Sequence, residues 1–488
     1  MNTPLRKVAA ACFVLFALLL INVNYVQVVK AKDYAKDPRN ARLITEAYSR
    51  ERGAIAIGTG GRRQALATSR RTEGRLTYLR EYPAGPLFGH ITGYISLVYG
   101  ATGIERSEND VLSGDSDRLF VRRVSDIITG REPKGGSVVL TLDRAAQEAA
   151  FAGLGGKRGA VVAIDPRTGA VLAMASTPSY DPTVLSSHDP KAIRAAWKKL
   201  EQDENDPLVN RAISTTYPPG STFKVVTAAA ALATGRYTPT SEVPSPRELK
   251  LPQTNQPLRN FGRAACGAGD TMPFQDALKV SCNTTFGALG LELGEDALRE
   301  QAEKFGLGKD DLRLPDRVAA SVFPPELSPP QRAQVAIGQY DLRVTPLQMA
   351  LVAAGVANGG TVMRPYLVRE IQAPDLSRLD RAEPKIYSQA VSRDVAAGLT
   401  QMMELVVAEG SGRRAQIQGV RVAGKTGTAQ HAPGKPPHAW FIGFAPADDP
   451  QVAVAVVIED GGSLGSEATG GQLSAPIARA VMGAVLGR

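Results

Sequence analysis

Residues 225–232 are apolar apart from one threonine, and this run lies in the middle of the chain. A helix that is apolar on all sides is buried inside a protein, because a surface helix keeps one polar face. Pro218-Pro219-Gly220 comes before the run and predicts that a helix begins at about Ser221. Ser221 and Lys224 are three positions apart, so a helix places them on one face, one turn apart.

A second apolar run, at residues 8–29, is long enough to cross a membrane, which takes about 20 residues. Arg6-Lys7 precedes it, and a basic flank favours the cytoplasmic side. No small-residue cleavage pattern follows directly, which favours an uncleaved anchor over a removed signal peptide, the alternative. We therefore expect a cytoplasmic tail at residues 1–7, a single transmembrane helix at 8–29 and the rest of the chain outside the cytoplasm.

Period-two and continuous apolar runs predict a sheet that is split along the sequence. Residues 159–165 and 170–175 predict a hairpin that is apolar on both faces and therefore central in a covered sheet. Three further strands are predicted at 420–428, 439–444 and 452–458, before a last helix at 475–486. Helices are predicted between the two sets of strands, at 191–200, 221–233, 274–280, 284–293, 296–305, 345–358 and 395–409. This order predicts an α+β sandwich.

Residues before the hairpin have a different character. From 30 to about 134 they are polar, rich in arginine and broken by glycine, which predicts short strands in an irregular spacer or docking domain. A strand at 135–142 and a helix beginning at Asp143 follow. We place the boundary so that residues 30–154 form this domain and residues 155–488 form the larger one.

Composition narrows the class of protein. With 488 residues, 43% hydrophobic and 22% charged, the chain is a globular protein of two or three domains. Its net charge of +9 is spread along the chain and aromatic residues make up 6%, so we expect no nucleic-acid partner. The sequence leaves open whether Cys266 and Cys282 form a disulfide. His90, His188, His431 and His438 lack metal-ligand spacing, so we expect no metal site and no cofactor.

Three short elements carry the candidate chemistry. They are Ser221-Thr222-Phe223-Lys224, Ser281-Cys282-Asn283 between two predicted helices, and Lys425-Thr426-Gly427-Thr428 on a predicted strand. In this order they match the S-x-x-K, S-x-N and K-T-G elements of penicillin-recognising serine enzymes. Ser107-Glu108-Asn109 also fits the second pattern, but it precedes the first element and lies in the predicted spacer domain. Each element is a weak signal alone, and all three in order are specific.

The chain resembles the class B penicillin-binding proteins, the monofunctional transpeptidases of bacterial cell-wall synthesis. The resemblance covers nearly the whole length, and Tyr340 departs from it where the family more often has glycine. Further matching segments are Arg52-Gly53-Ala54-Ile55, Gly103-Ile104-Glu105, Asn210-Arg211-Ala212, Ala336-Ile337-Gly338-Gln339, Thr345-Pro346-Leu347-Gln348 and Ala357-Asn358-Gly359-Gly360. The resemblance implies the penicillin-binding and β-lactamase-like serine-acyltransferase fold, with an antiparallel sheet and a small N-terminal pedestal or dimerisation-like domain.

By this resemblance, Ser221 forms an acyl-enzyme with a D-Ala-D-Ala stem peptide. Lys224 is the candidate proton acceptor, although related enzymes leave that assignment disputed. To be half neutral near pH 7, Lys224 needs a pKa about 3 units below the usual value for lysine, which burial and the charge of Lys425 both favour. Ser281 would pass a proton to the departing D-alanine, and Asn283 would hold the substrate amide.

Residues of the third element complete the implied site. Lys425, Thr426, Gly427 and Thr428 would bind the terminal carboxylate, and the backbone amides of Ser221 and Thr428 would hold the oxyanion. The residue types alone also allow Ser281 as a helix cap and Lys425 as a solvated strand residue.

The resemblance also implies partners and leaves rival functions open. The partners are peptidoglycan stem peptides, β-lactams as covalent inhibitors and a membrane glycan polymerase. A D,D-carboxypeptidase of the same fold shares the three elements, as do a β-lactam sensor and a structural subunit with an idle site. The short predicted cytoplasmic tail argues against the sensor, because it is too small for a signalling domain.

Overall fold

The structure is a computed structural model of the chain. It describes residues 2–30, 48–58, 63–74, 76–119, 128–130, 132 and 134–488. Residues 31–47, 59–62 and 120–127 of the predicted spacer domain therefore lie outside the described residues.

The apolar N-terminal run is helical from Asn2 to Asn24 and continues as a π-helical turn from Tyr25 to Val29. The segment Thr3–Val29 has 27 residues, is mostly apolar, and is not buried against the rest of the protein. An exposed apolar helix of this length is compatible with a single-pass membrane anchor. The helix begins before the predicted span and includes residues 2–7 of the predicted tail.

Strands lie in both halves of the chain. They are β1 Ile55–Ile57, β2 Gln64–Arg71, β3 Tyr78–Glu81, β4 Ile95–Ser96, β5 Gly100–Ala101, β6 Ser137–Leu140, β7 Gly159–Ile164, β8 Val171–Thr177, β9 Glu242–Pro244, β10 Glu248–Leu249, β11 Leu258–Arg259, β12 Thr271–Pro273, β13 Thr361–Met363, β14 Val368–Gln372, β15 Arg378–Arg381, β16 Ile386–Gln389, β17 Ala423–Ala429, β18 His438–Ala445 and β19 Val452–Ile458.

Helices fill the spaces between the strands. They are α1 Asn2–Asn24, α2 Gly89–Thr92, α3 Gly103–Ser107, α4 Asn109–Ser113, α5 Arg144–Leu154, α6 Pro190–Glu201, α7 Arg211–Ser214, α8 Lys224–Ala233, α9 Phe274–Lys279, α10 Asn283–Lys304, α11 Pro329–Ala336, α12 Pro346–Ala357, α13 Arg393–Ala408 and α14 Gly470–Val485. The helices predicted at 284–293 and 296–305 are two parts of α10, which breaks at Gly294, where φ is 81°.

Five antiparallel strands form the larger sheet, in the order β17-β18-β19-β7-β8. Its residues alternate between two hydrophobic cores. Val161 and Ala163 pack with α5 and α14, whereas Val162 and Ile164 pack with α8 and α12 on the other face. Covering a sheet with helices on both faces buries continuous apolar strands. The predicted α+β sandwich on an antiparallel sheet is confirmed.

The apolar faces of the hairpin predicted that it would be central in the sheet. This prediction is wrong for β8, which forms an edge. Apolar faces report what packs above and below a strand and do not report its neighbours. Helix α5, which precedes the hairpin, lies along this edge of β8. The side chain of Gln147 on α5 accepts from the Met174 amide at 2.8 Å and donates to the Met174 carbonyl at 3.1 Å.

A second sheet, of six strands, has the order β15-β14-β6-β1-β2-β3. β1 and β6 are parallel and the other pairs are antiparallel. The sequence did not predict β14 and β15, which reach this sheet from more than 200 positions along the chain from β6. The sheet thus joins the N-terminal domain to the larger one.

Helix α11 begins at Pro329, in a proline-rich segment, and the apolar pattern of the sequence did not predict it. Its first two positions are Pro329 and Pro330, which lack N–H groups that a first helical turn leaves unbonded in any case. Ser328 and Gln331 form a capping box ahead of it. That serine and glutamine were the sequence signal for this helix.

Candidate active site

Ser221 lies in a single 3-10 turn, Gly220–Phe223, that leads directly into α8. The α-helix itself begins at Lys224, three residues after the predicted start. The 3-10 turn keeps Ser221 one turn before Lys224, as the spacing required. Residues 224–232 of α8 are all buried, which confirms the buried helix expected from its apolar sequence.

The serine turn is fixed by two neighbouring segments. The amide of Gly220 donates to the Gly338 carbonyl at 2.8 Å, and the indole Nε1 of Trp440 donates to the Pro218 carbonyl at 3.1 Å. Gly338 has φ of 79°, and a methyl group there would lie 1.9 Å from the Gly220 carbonyl oxygen. Only glycine therefore fits position 338 without moving the serine turn.

Ser281 lies in the short connection between α9 and α10. It has φ of 63°, an uncommon conformation for a residue other than glycine. Cys282, the next residue, forms a disulfide with Cys266, with a Cα–Cα distance of 5.7 Å. Ser281 is not the cap of α10, since the capping position is Cys282 and it makes no side-chain capping bond.

Asn260 also holds this connection, and the sequence did not single it out. Its Oδ1 accepts from the amides of Asn283 at 2.9 Å and Thr284 at 3.1 Å. The Arg259 carbonyl accepts from Asn283 Nδ2 at 3.1 Å. The loop from Arg259 to Cys266 thus orients the S-x-N element, through contacts that no local spacing could reveal.

Two lysines meet at the Ser281 hydroxyl. Lys224 Nζ donates to the Ser281 carbonyl at 2.8 Å and to Asn283 Oδ1 at 2.7 Å, and it lies 3.3 Å from Ser281 Oγ. Lys425 Nζ donates to Ser281 Oγ and to the Thr426 carbonyl, both at 2.9 Å. Both lysines are fully buried. Among the described residues, neither ammonium has a carboxylate partner.

Burial without a counter-charge favours the neutral form of a lysine. Burial lowers the pKa of Lys224 well below its usual value, and the nearby charge of Lys425 lowers it further. Burial lowers the pKa of Lys425 to about 7. A neutral Lys224 has two N–H bonds, which the Ser281 carbonyl and the Asn283 side chain accept, and its lone pair is then open to a proton.

Ser221 is partly exposed, and no other described group forms a hydrogen bond to its hydroxyl. The oxygen is therefore open to a ligand from solvent. β17 passes directly beside the turn, because a methyl group on Gly220 would lie 2.8 Å from the Thr428 carbonyl oxygen and one on Gly427 would lie 3.0 Å from the Pro219 carbonyl oxygen. The structure thus brings all three sequence elements to one place.

On β17, Lys425 is buried rather than solvated, and Thr426 shares a 2.6 Å hydrogen bond with Ser411. The sequence did not predict Ser411, which lies just after α13 and belongs to no recognised element. Its hydroxyl extends the polar surface that the two threonines of β17 present.

Behind the serine turn lies a buried ionic cluster that the sequence also missed. Glu459 accepts hydrogen bonds from the Tyr217 hydroxyl at 2.6 Å, from Arg211 Nε at 2.9 Å and from Arg158 Nε at 2.8 Å. Tyr217 directly precedes Pro218, so the cluster anchors the segment that leads to Ser221. Burial raises the pKa of Glu459, but Tyr217, Arg211 and Arg158 outweigh burial and leave that pKa below its usual value.

Comparison with known proteins gives matches over most of the chain. A family model for the penicillin-binding protein transpeptidase domain matches residues 159–483, and one for the penicillin-binding protein A dimerisation domain matches residues 52–138. The chain is 48% identical to the peptidoglycan D,D-transpeptidase PbpA of Mycolicibacterium smegmatis over 494 aligned residues, which cover 100% of this chain and 99% of the relative.

Solved structures of penicillin-binding protein A from Mycobacterium tuberculosis have the same fold. The ceftriaxone acyl-enzyme complex is 44% identical and covers 91% of this chain and 100% of that chain, with a TM-score of 0.87. The penicillin G acyl-enzyme complex is 45% identical and covers 90% of this chain and 100% of that chain, with a TM-score of 0.84.

Proposed function

The chain belongs to the class B penicillin-binding proteins, and on that basis we propose that it is a peptidoglycan D,D-transpeptidase that works through an acyl-enzyme on Ser221. Ser221 Oγ attacks the carbonyl carbon between the two D-alanines, the peptide bond breaks and D-alanine leaves with a proton. The amine of a neighbouring stem peptide then takes the acyl group and frees the serine. The observation that carries this proposal is the pair of buried lysines joined through Ser281 beside an open serine hydroxyl.

The proton steps follow from the hydrogen bonds of that pair. Lys224 takes the proton of Ser221, because a buried lysine with a lowered pKa has a lone pair to offer. Ser281 Oγ lies between the Nζ atoms of the two lysines and passes a proton to the departing amine. Asn283 orients Lys224 through its Oδ1 and contacts the substrate amide.

Side chains of β17 and two backbone amides bind the negatively charged groups of the substrate. The amides of Ser221 and Thr428 hold the oxyanion of the tetrahedral intermediate, a type of contact that strengthens as charge develops. Thr426, Thr428 and the charge of Lys425 bind the terminal carboxylate, and Gly427 lets the strand approach the serine turn. β-Lactams inhibit the enzyme by acylating the same serine.

Covalent labelling tests the nucleophile. We expect fluorescent penicillin to label the full chain and to lose at least about 10³-fold in labelling rate in Ser221→Ala, since no other group replaces the attacking oxygen. Ser107→Ala is a matched control, because this exposed serine begins the other S-x-N sequence. Equal labelling of Ser221→Ala and the wild type would refute the assignment.

Product analysis separates the transpeptidase from a D,D-carboxypeptidase. With a D-Ala-D-Ala stem peptide and an amine acceptor, we expect the cross-linked amide as the main product. Hydrolysis that persists at saturating acceptor would assign the chain as a carboxypeptidase. A strain carrying Ser221→Ala that still cross-links its wall normally would instead indicate a structural subunit.

We also propose the membrane orientation and the domain division. Residues 1–7 lie in the cytoplasm, the helix spans the membrane, and the pedestal domain at 30–154 and the transpeptidase domain at 155–488 lie outside. The basic pair before the helix supports this orientation, and so does the disulfide, since disulfides persist in oxidising compartments. Protease added to intact spheroplasts should digest the large domain, and protection of that domain would reverse the orientation.

A membrane glycan polymerase is the proposed protein partner, bound through the anchor and the pedestal. A cross-linking enzyme acts on strands that such a polymerase produces, which supports their association. Affinity purification of the full chain from membranes should recover a polytopic polymerase, and replacing the anchor helix with an unrelated transmembrane helix should reduce that recovery. Recovery of none from the wild type would contradict the proposal.

A further inference from the structure

Two histidines and an aspartate meet at the end of the active-site strand, outside the cluster of lysines. His431 lies in the loop between β17 and β18, His438 begins β18 opposite Ala429, and Asp460 follows β19. One ligand atom from each of the three side chains lies within 4.8 Å of the other two. Imidazole nitrogen and carboxylate oxygen are both ligands that Zn²⁺ accepts.

Two of the three separations between ligand atoms are close to those of a metal site. His431 Nε2 is 3.1 Å and His438 Nδ1 is 3.9 Å from Asp460 Oδ1. In a tetrahedral Zn²⁺ site with bonds of about 2.0–2.1 Å, neighbouring ligand atoms lie about 3.3 Å apart. The two observed separations lie on either side of that value, so small side-chain movements would bring both into range.

Two further features mark this cluster. His431 Nε2 is the ring nitrogen that faces Asp460, and the other ring nitrogen, Nδ1, is buried and has no hydrogen-bond partner among the described residues. Asp460 has φ of 50° and ψ of 39°, a left-handed conformation that is uncommon outside glycine. Left-handed backbone at this aspartate brings its carboxylate back toward the two stacked imidazole rings, whose centroids are 4.0 Å apart.

Two existing contacts compete with a metal ion. His431 Nε2 and Asp460 Oδ1, 3.1 Å apart, already lie within hydrogen-bond distance of each other. The Asp460 amide donates to His438 Nδ1 at 3.2 Å, so an ion bound to that nitrogen replaces this hydrogen bond. The exchange is favourable only if the ion also gains His431 and the Asp460 carboxylate. Binding therefore requires all three side chains, which makes each of them a sharp test.

We propose that His431, His438 and Asp460 form a site for one Zn²⁺ ion, with water in the remaining coordination position. This proposal departs from the sequence expectation of no metal site, which rested on histidine spacing. The third ligand comes from the end of a different strand, so spacing between the histidines could not reveal it.

The site would tie two segments of the active centre together. Thr428 is separated by two residues from His431 along the chain, and Asp460 adjoins Glu459, which anchors Tyr217 ahead of the serine turn. An ion between His431 and Asp460 therefore links the loop after the K-T-G element to the base of the Ser221 segment. Its role in this proposal is to position the β17–β18 loop.

Isothermal titration of the full chain, in detergent and without a histidine tag, tests the proposal with ZnCl₂ as the probe. We expect one Zn²⁺ per chain, and a loss of affinity of about 100-fold or more in His431→Ala and in Asp460→Asn. His188→Ala is the matched control, because this half-buried histidine contacts the Tyr78 carbonyl elsewhere in the molecule. Circular dichroism checks that each variant is folded.

The results are decisive in both directions. Stoichiometric binding that His431→Ala and Asp460→Asn abolish, and that His188→Ala leaves intact, supports the site. No binding by the wild type, or equal binding by the wild type and both ligand variants, overturns it. Zn²⁺ binding by Ser221→Ala should equal that of the wild type, so failure of this site and failure of the proposed acyl-enzyme give separate results.

Discussion

Two buried charged clusters in this protein differ in the presence of a carboxylate and in the type of cation. In the N-terminal domain, Glu105 is fully buried and accepts from Arg52 Nε and Arg80 Nε, both at 2.6 Å. In the active site, Lys224 and Lys425 share the neutral hydroxyl of Ser281. Burial is equally complete in both places, so burial alone does not make a group reactive.

The carboxylate and the type of cation together decide whether the charges persist, because arginine stays protonated and a buried lysine gives up its proton readily. Burial raises the pKa of Glu105, but Arg80 and Arg52 outweigh burial and leave that pKa below its usual value. This cluster therefore stays ionised and structural. In the active site no described carboxylate compensates the lysines, so burial lowers the pKa of both, and the charge of Lys425 lowers that of Lys224 further. A lysine that has lost its proton can act as a base.

Removing the amine of Lys224 should have the largest effect. Lys224→Met keeps the length of the side chain and removes the proton acceptor, so we expect acylation by fluorescent penicillin to fall by about 10³–10⁴-fold. Stability should change little or rise, because a buried polar group is replaced by an apolar one of similar volume. Second-order labelling rates and urea unfolding measure the two effects.

If Lys224→Met instead unfolds the protein, Lys224 would have a structural role, as the pedestal arginines do. Lys250→Met serves as the control, because Lys250 is exposed and has no part in the site. Its labelling rate should match that of the wild type.

Removing the charge of Glu105 should show the opposite pattern. Glu105→Gln leaves Arg52 and Arg80 buried without a counter-charge, and we expect it to destabilise the N-terminal domain by about 3–5 kcal/mol. Amide hydrogen exchange in β1 to β3 during urea titration locates the loss. The acylation rate of the folded variant should remain close to that of the wild type.

Glu81→Gln is the matched control for this substitution. Glu81 pairs with Arg70 on the surface of the same sheet, and an exposed ion pair contributes about 1 kcal/mol or less. If Glu81→Gln and Glu105→Gln lowered the free energy of unfolding equally, burial would not strengthen the interaction of Glu105 with its arginines.

Stability should respond to pH in a separate window for each cluster. The unfolded chain protonates Lys425 below about pH 10.4, whereas the folded chain protonates it only below about 7. The unfolded state thus binds more protons between these values, and this lysine makes stability rise with pH by up to about 1.4 kcal/mol per unit. Below about pH 7 its destabilising contribution is complete.

Glu105 acts in the acidic range. Its folded pKa lies below the usual value, so its contribution is present above the unfolded pKa of about 4.3 and is lost as the pH falls through the folded pKa. We expect Lys425→Met to flatten the dependence of the thermal midpoint on pH above 7, and Glu105→Gln to flatten it in acid. Exchange of these two windows would contradict the comparison.

The sequence predicted those features of the fold and of the site that depend on residues close together along the chain. The S-x-x-K spacing placed Ser221 and Lys224 one turn apart, and the three elements indicated where they would meet. Strand β19 has the bounds predicted for it, because a continuous apolar run rich in valine between turns leaves little choice. The expected causes of the low pKa of Lys224, burial and Lys425, both act in the structure.

Contacts between distant segments could not be predicted in this way. Asn260 and Glu459 are polar residues in loops, and their roles depend on which backbone amides or cations the fold brings to them. The departure at Tyr340 is informative, because this residue takes the left-handed φ of 64° that suits the glycine more usual there. Its hydroxyl accepts from Gln331 at 2.9 Å, a contact that glycine cannot make.

Tyr82→Phe should have a smaller effect than Glu105→Gln, because it changes a neutral neighbour of the pedestal cluster and leaves the charges balanced. The Tyr82 hydroxyl donates to Glu105 Oε1 at 3.3 Å and accepts from the Ile95 amide at 3.0 Å. Losing these contacts should cost about 1–3 kcal/mol, the usual cost of leaving a buried hydrogen-bond partner unsatisfied. Urea unfolding of Tyr82→Phe and of Glu105→Gln under the same conditions measures the ratio of the two losses of stability. If the two substitutions cost the same, hydrogen bonding to Glu105 rather than its charge would stabilise the cluster, and the contrast with the uncompensated lysines would fail.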